Sequence, residues 1–166
     1  MISVEIDTRE VDVRIKGIGT ALQNLQPVFD DFRKIFTEFE KTIFRTEGAY
    51  GNEGNKWVPL NPQYAAWKRN KYGDRGILQK DYDLRRSLTD TTSADMVYET
   101  GPAWMEIGTS ILYARTHQYG DDRRNIPARP PLPKFTRAEA QMFIDALMSH
   151  VLRAMRGVKR SRLEKK

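Results

Sequence analysis

The 166-residue chain contains no cysteine. That excludes disulfide frameworks, thiolate zinc sites and cysteine nucleophiles. Its two histidines, His117 and His150, fall in separate predicted helices, so a histidine-centred triad or metal site has no partners that the sequence can place. No apolar run approaches the ~20 residues that cross a bilayer, and a mean hydropathy of −0.66 predicts a soluble chain with no membrane contact. The acidic, alternating start MISVEIDTREVD lacks the basic and then apolar stretches of a signal peptide. Gly73-Asp74-Arg75-Gly76 is a turn without the Gly-Lys-Ser/Thr ending of a phosphate cradle. Asp81 and Asp83 sit two apart and face apart on a helix, so they suit capping better than paired acid–base chemistry. No catalytic residue, cofactor or metal is expected.

What is present is charge at one end. The formal net charge is +6. Residues 153–166 hold seven basic residues against Glu164 alone, so residues 1–152 are balanced. The high isoelectric point belongs to the C-terminal segment, and the body makes no electrostatic case for nucleic acid.

Read in order, Ile2, Val4 and Ile6, then Val11, Val13 and Ile15, alternate with polar residues; each run reads as a half-buried strand, or the two as legs of a hairpin around Asp7-Thr8-Arg9-Glu10. Leu22, Leu25, Phe29, Phe32, Ile35/Phe36, Phe39 and Ile43 recur at helical spacing. They predict a long amphipathic helix from about Thr20 to Arg45, starting near Gln26 or kinked at Pro27. Residues 46–56, with three glycines, read as a mobile loop. Asn61 caps a helix over Pro62–Tyr72. Its Tyr64 and Trp67 are read as core with the lysines solvated, in preference to a nucleic-acid stacking face. Asp81 is expected to cap a helix over Tyr82–Leu88. Residues 94–100 and 103–108 read as an antiparallel pair around Gly101-Pro102. Thr109-Ser110 precede a short helix over Ile111–Tyr119. Thr136 with Glu139 forms a capping box for the last helix. Its stripe is Phe143, Ile144, Leu147, Val151, Leu152 and Met155, and its end lies near Gly157. The basic segment beyond is expected to be disordered in isolation.

The organising stretch is Leu112–Leu132. Three prolines within five residues, Pro127, Pro130 and Pro131, fix φ and remove backbone donors. They predict a stiff extended arm. The run Tyr113-Ala114-x-x-His117-Gln118-x-Gly120, a polar loop, and Ile126-Pro127-Ala128-Arg129-Pro130-x-Leu132 resembles the phage virion morphogenesis (tail completion) family. Trp57-x-Pro59-Leu60-x-Pro62, Gly76-Ile77-Leu78 and Asp83-Leu84-Arg85-x-Ser87-Leu88 fit the same pattern. Pro131 replaces a usual larger apolar residue, and Tyr82-Asp83 stands where Thr-Gly is usual.

The resemblance implies an α+β fold: a small antiparallel sheet packed by a long N-terminal amphipathic helix and a C-terminal helix, with the Pro-rich arm. Residues 1–156 would form one domain and 157–166 a basic tail. It implies a structural protein of the virion neck, made in the host bacterial cytoplasm. Six or twelve copies would form a ring at the head-proximal end of the tail. The ring would contact the tail terminator or tail tube protein and the head connector or adaptor proteins, with non-specific contact to genomic DNA in the lumen. Tyr113, His117, Ile126, Pro127, Arg129, Pro130 and Leu132, with the 46–56 loop, are the expected subunit or partner interface. Arg129 offers a bidentate guanidinium to a neighbour's carboxylate, or folds back on acids of its own subunit. Arg156, Lys159, Arg160 and Arg162 are expected to meet DNA or an acidic partner. The alternative is a small nucleic-acid-binding protein that relies on that C-terminal segment.

Overall fold

A computed structural model describes the backbone of residues 9–132 and 137–163, and side chains from Ile15 to Leu132 and from Arg137 to Met155, apart from Thr20 and Glu139. Among the described residues there are six helices and a two-stranded antiparallel sheet, an α+β fold. In order they are α1 (Arg9–Gln23), α2 (Gln26–Arg45), α3 (Pro62–Tyr72), α4 (Asp83–Thr89), β1 (Met96–Thr100), β2 (Met105–Thr109), α5 (Tyr113–Tyr119) and α6 (Arg137–Leu163). A 3-10 turn, Asp122–Arg124, follows α5.

The expected second hairpin leg at Val11–Ile15 is instead part of α1. Val11, Ile15, Ile18 and Leu22 also recur at three- and four-residue spacing, and that longer pattern outweighs a three-residue alternation. Ile2–Ile6 lies outside the described residues. Of the two readings of the long helix, the start near Gln26 holds: α1 ends at Gln23, α2 begins at Gln26, and the Asn24 side chain between them accepts the Gln26 N–H. Pro27 then occupies the first turn of α2, where its missing donor costs nothing.

The chain divides into two compact units. The first comprises residues up to Phe32, Thr100–Met105 and the chain from Arg137. In it α1 packs against α6. Phe32 meets Phe143 edge-to-face at 5.2 Å, and the His150 ring nitrogen Nε2 lies 3.1 Å from the Ala21 carbonyl. The apolar stripe of α6 is only partly covered, with Ile144 and Leu152 exposed. The helix runs through Gly157 to Leu163, so much of the expected disordered tail is helical. A helical Gly costs about 1 kcal/mol relative to Ala, too little to stop a helix by itself. Thr136 and the Glu139 side chain, the expected capping box, lie outside the described residues.

The second unit comprises Arg33–Glu99 and Glu106–Thr136. Its core is Phe36, Phe39, Ile43 and Phe44 of α2 with Trp57, Ile77, Leu84 and Leu88. Residues 46–56 form a loop, as expected, built as a chain of turns joined to the body at both ends. The Gly48 N–H reaches the Ile43 carbonyl and the Trp57 N–H the Glu47 carbonyl. Gly48 has φ +89°, and a Cβ there would stand 2.4 Å from the Trp57 indole. Asn61 caps α3 as expected, accepting from the N–H groups of Gln63 and Tyr64. Asp81 does not cap α4: Tyr82 holds that position in a left-handed conformation, and Asp81 pairs with Lys80.

The packing of α3 also reverses expectation. Lys68 is its one buried residue, while Tyr64 and Trp67 are exposed. The Lys68 ammonium donates to the carbonyls of Arg75 and Gly76 at 2.8 and 2.6 Å and so closes the turn after the helix. Burial, the largest influence, lowers its pKa.

Candidate assembly site

The proline arm is fastened to its own unit at four points. Gly120 ends α5 at φ +79°, and a Cβ there would stand 3.0 Å from the Ala128 nitrogen. Asp121 and Ile126 then exchange backbone hydrogen bonds at 2.8 and 2.9 Å across the 3-10 turn. This bridge turns the arm back over α5. The Arg129 N–H donates to the His117 carbonyl at 2.7 Å. The Trp57 indole donates to the Pro130 carbonyl at 2.9 Å. The Gln118 side chain donates to the Leu132 carbonyl and accepts the Leu132 N–H, both at 3.0 Å. The backbone groups of Arg129, Pro130 and Leu132 so paired belong to a stretch whose prolines disfavour helix or sheet pairing.

Arg129 is the central fastening. It is 6% exposed, and its Nε and Nη2 donate to the carbonyls of Val58 and Pro59 at 2.6 and 2.9 Å. The guanidinium folds back on its own chain, and onto carbonyls instead of the acids considered from sequence. A buried charge on neutral acceptors is disfavoured, and burial lowers its pKa. Pro131, the departure from the family pattern, is among the most fully buried residues.

Beside the arm lies a cleft of about 910 Å³. Tyr64 and Lys68 of α3, Tyr82 and Asp83, Tyr113 and His117 of α5, and Pro127 of the arm contribute to its walls. The expected interface residues Tyr113, His117, Ile126, Pro127 and Arg129 therefore share one wall system, while Pro130 and Leu132 serve the fastening. Tyr113 stands edge-on to the His117 ring at 5.9 Å. Burial, then the Asp83 charge, raises the Tyr113 phenol. His117 is half-buried, its Nδ1 has no hydrogen-bond partner, and burial, then the charges of Arg129 and Arg124, lowers its pKa. The arrangement favours neutral imidazole in an apolar contact. Among the described residues no cluster of three or more acidic or histidine side chains is placed to hold a metal ion.

Sequence reasoning read Trp57 as pinning the chain to the body but not its bond to Pro130, and it missed Gln118 and Lys68 as fastening residues. Gln118 stands inside the motif run, so its position was signalled although its partner was not. The backbone of Arg156, Lys159, Arg160 and Arg162 lies in α6, and their side chains lie outside the described residues. No described helix is long and apolar enough to cross a membrane.

Comparison with known families gives a match over residues 6–152 to the phage virion morphogenesis family. No curated protein and no solved structure matches the chain.

Proposed function

The chain belongs to the phage virion morphogenesis family, which indicates a structural role in building the virion, and on that premise we propose that it is a tail completion protein. In this reading copies form a ring at the head-proximal end of the tail and join tail to head. The observation that carries it is the fastened arm. Arg129, Trp57 and Gln118 hold a proline-stiffened segment against its own body, so Pro127 and Tyr113 are presented in a fixed geometry. Preorganisation of this kind lowers the ordering cost of a subunit contact. Leu112, 93% exposed, and Tyr119, 77% exposed, stand at the two ends of α5 and add apolar surface for a partner. Arg129 acts here as the support of the interface.

The test is complementation of a phage lacking this chain, with particles counted by electron microscopy. Separate full heads and finished tails without the chain, and joined virions with it, are the expected result. Joined virions in its absence refute the proposal. The basic end of α6 is assigned to DNA or an acidic partner; deleting residues 157–166 is expected to weaken DNA contact while ring formation persists.

A further inference from the structure

The balanced body conceals two opposite halves. Residues 62–89 hold seven basic residues and three acids, a net +4. Residues 90–112 hold four acids, Asp90, Asp95, Glu99 and Glu106, and no lysine, arginine or histidine. Among the described residues Lys71, Glu99 and Glu106 have no ion-pair partner, while Lys80 pairs with Asp81 at 2.9 Å.

In the basic segment, α3 lies at the surface with Trp67 45% and Tyr64 42% exposed. Their rings are 5.4 Å apart, and Tyr72 meets Trp67 at 5.6 Å. Lys71 sits over Trp67 and Tyr72, Lys80 over Tyr72, and Arg75 over both Tyr72 and Tyr82. Tyr82 is held at φ +64°, a conformation that costs of order 1–3 kcal/mol in a non-glycine residue. The outcome is a ladder of aromatic rings faced by cations. Cations stand over Trp67, Tyr72 and Tyr82, so these rings suit carboxylates better than stacked bases. Exposed Trp, Tyr and Arg are also the residue types that dominate protein interfaces.

In the acidic segment, the Ser110 N–H reaches the Asp95 carbonyl and the Gly101 N–H the Trp104 carbonyl. That register sets Glu99 of β1 directly across from Glu106 of β2. Both are exposed. Like charges directly opposite on a strand pair destabilise it. The neighbouring cation, Arg33, lies over the Tyr98 ring at 4.4 Å, on the other face of β1. Among the described residues no ion pair joins the basic segment to the acidic one.

We propose that the Lys71–Arg75–Lys80 aromatic ladder of one copy docks on the Glu99–Glu106 hairpin face of a second copy. The two patches differ, so the contact is head-to-tail, the kind that closes into a ring when its rotation permits. The inference rests on the ring reading above and names the surfaces that make it.

The test is a reciprocal charge reversal read by light scattering and sedimentation. One variant is Glu99→Lys with Glu106→Lys, and the other is Lys71→Glu with Lys80→Glu. All four residues lie on the surface, and circular dichroism checks that each variant folds. Each variant alone is expected to associate at least tenfold more weakly than the wild type, since opposed like charges cost several kcal/mol. An equimolar mixture restores assembly, because each variant's ladder then meets a hairpin of opposite charge. Rings formed by both variants alone overturn this assignment and leave the ring reading standing. Loss of rings with no recovery on mixing also overturns it. A wild-type chain monomeric up to about 1 mM, with no salt-sensitive association, overturns both.

Discussion

Gln118 treats Leu132 as a strand would treat its neighbour, giving one hydrogen bond to its carbonyl and taking one from its N–H, each at 3.0 Å. A side-chain amide carries a donor and an acceptor side by side, so from α5 it can offer the arm both partners that a strand would. The same logic repeats along the arm, so its fastenings are separable by mutation.

Arg129→Ala leaves the Val58 and Pro59 carbonyls without their donors and opens space beneath the arm. The expected loss is about 3 kcal/mol of unfolding free energy. Arg129→Lys should recover only part of it, because an ammonium lacks the guanidinium fork. Urea denaturation of the three proteins checks this. A loss below about 1 kcal/mol for the alanine variant would mean the fastening contributes little.

Gly120→Ala puts a Cβ at φ +79° and 3.0 Å from the Ala128 nitrogen. A cost of about 1–3 kcal/mol is expected. Gly54 has a similar φ of +86° but open space around it, so Gly54→Ala should cost less. Equal losses at the two sites in thermal unfolding would show that backbone conformation alone decides.

Glu40 is fully buried, and neither carboxylate oxygen has a hydrogen-bond partner. Burial raises its pKa well above 4.5 and so favours the protonated form in the folded chain. A raised folded pKa means stability is fully present below the unfolded value and falls as pH rises through the interval between the two. Glu40→Gln should therefore stabilise the protein increasingly above pH 4.5. Denaturation midpoints from acid to neutral pH test it; a constant difference across that range would refute the assignment.

His117 carries the opposite sign. Burial, then Arg129 and Arg124, holds its folded pKa below 6.5. The unfolded chain takes up the proton first, so stability declines as pH falls through 6.5 towards the folded value. His117→Gln should flatten that decline. An unchanged acid limb in the variant would assign the loss to other groups.

Much of the architecture was legible locally. The phenylalanine spacing of α2, the Asn61-Pro62 start of α3, the Gly101 hairpin and the Pro127–Pro131 arm each rest on backbone or periodicity rules that act within a few residues. Where two local patterns competed, at Val11–Ile15, the shorter misled, because three alternating residues also fit a helix. The Gly157 stop failed because a single helical glycine is a weak penalty.

Sequence alone determined the position of the rigid arm and the charge balance, which follow from composition and from spacings that local chemistry reads. It also carried the family resemblance that implies the α+β class. Tertiary structure alone decided that Lys68 is buried while Trp67 is not, that Arg129 grips Val58 and Pro59, and that Glu99 faces Glu106. Those outcomes depend on which carbonyls lack a partner and which strands register together. Arg129 and Pro59 stand 70 positions apart, whereas Lys68 reaches carbonyls seven and eight residues on; in each case the partner is set only when folded groups must satisfy each other's hydrogen bonds.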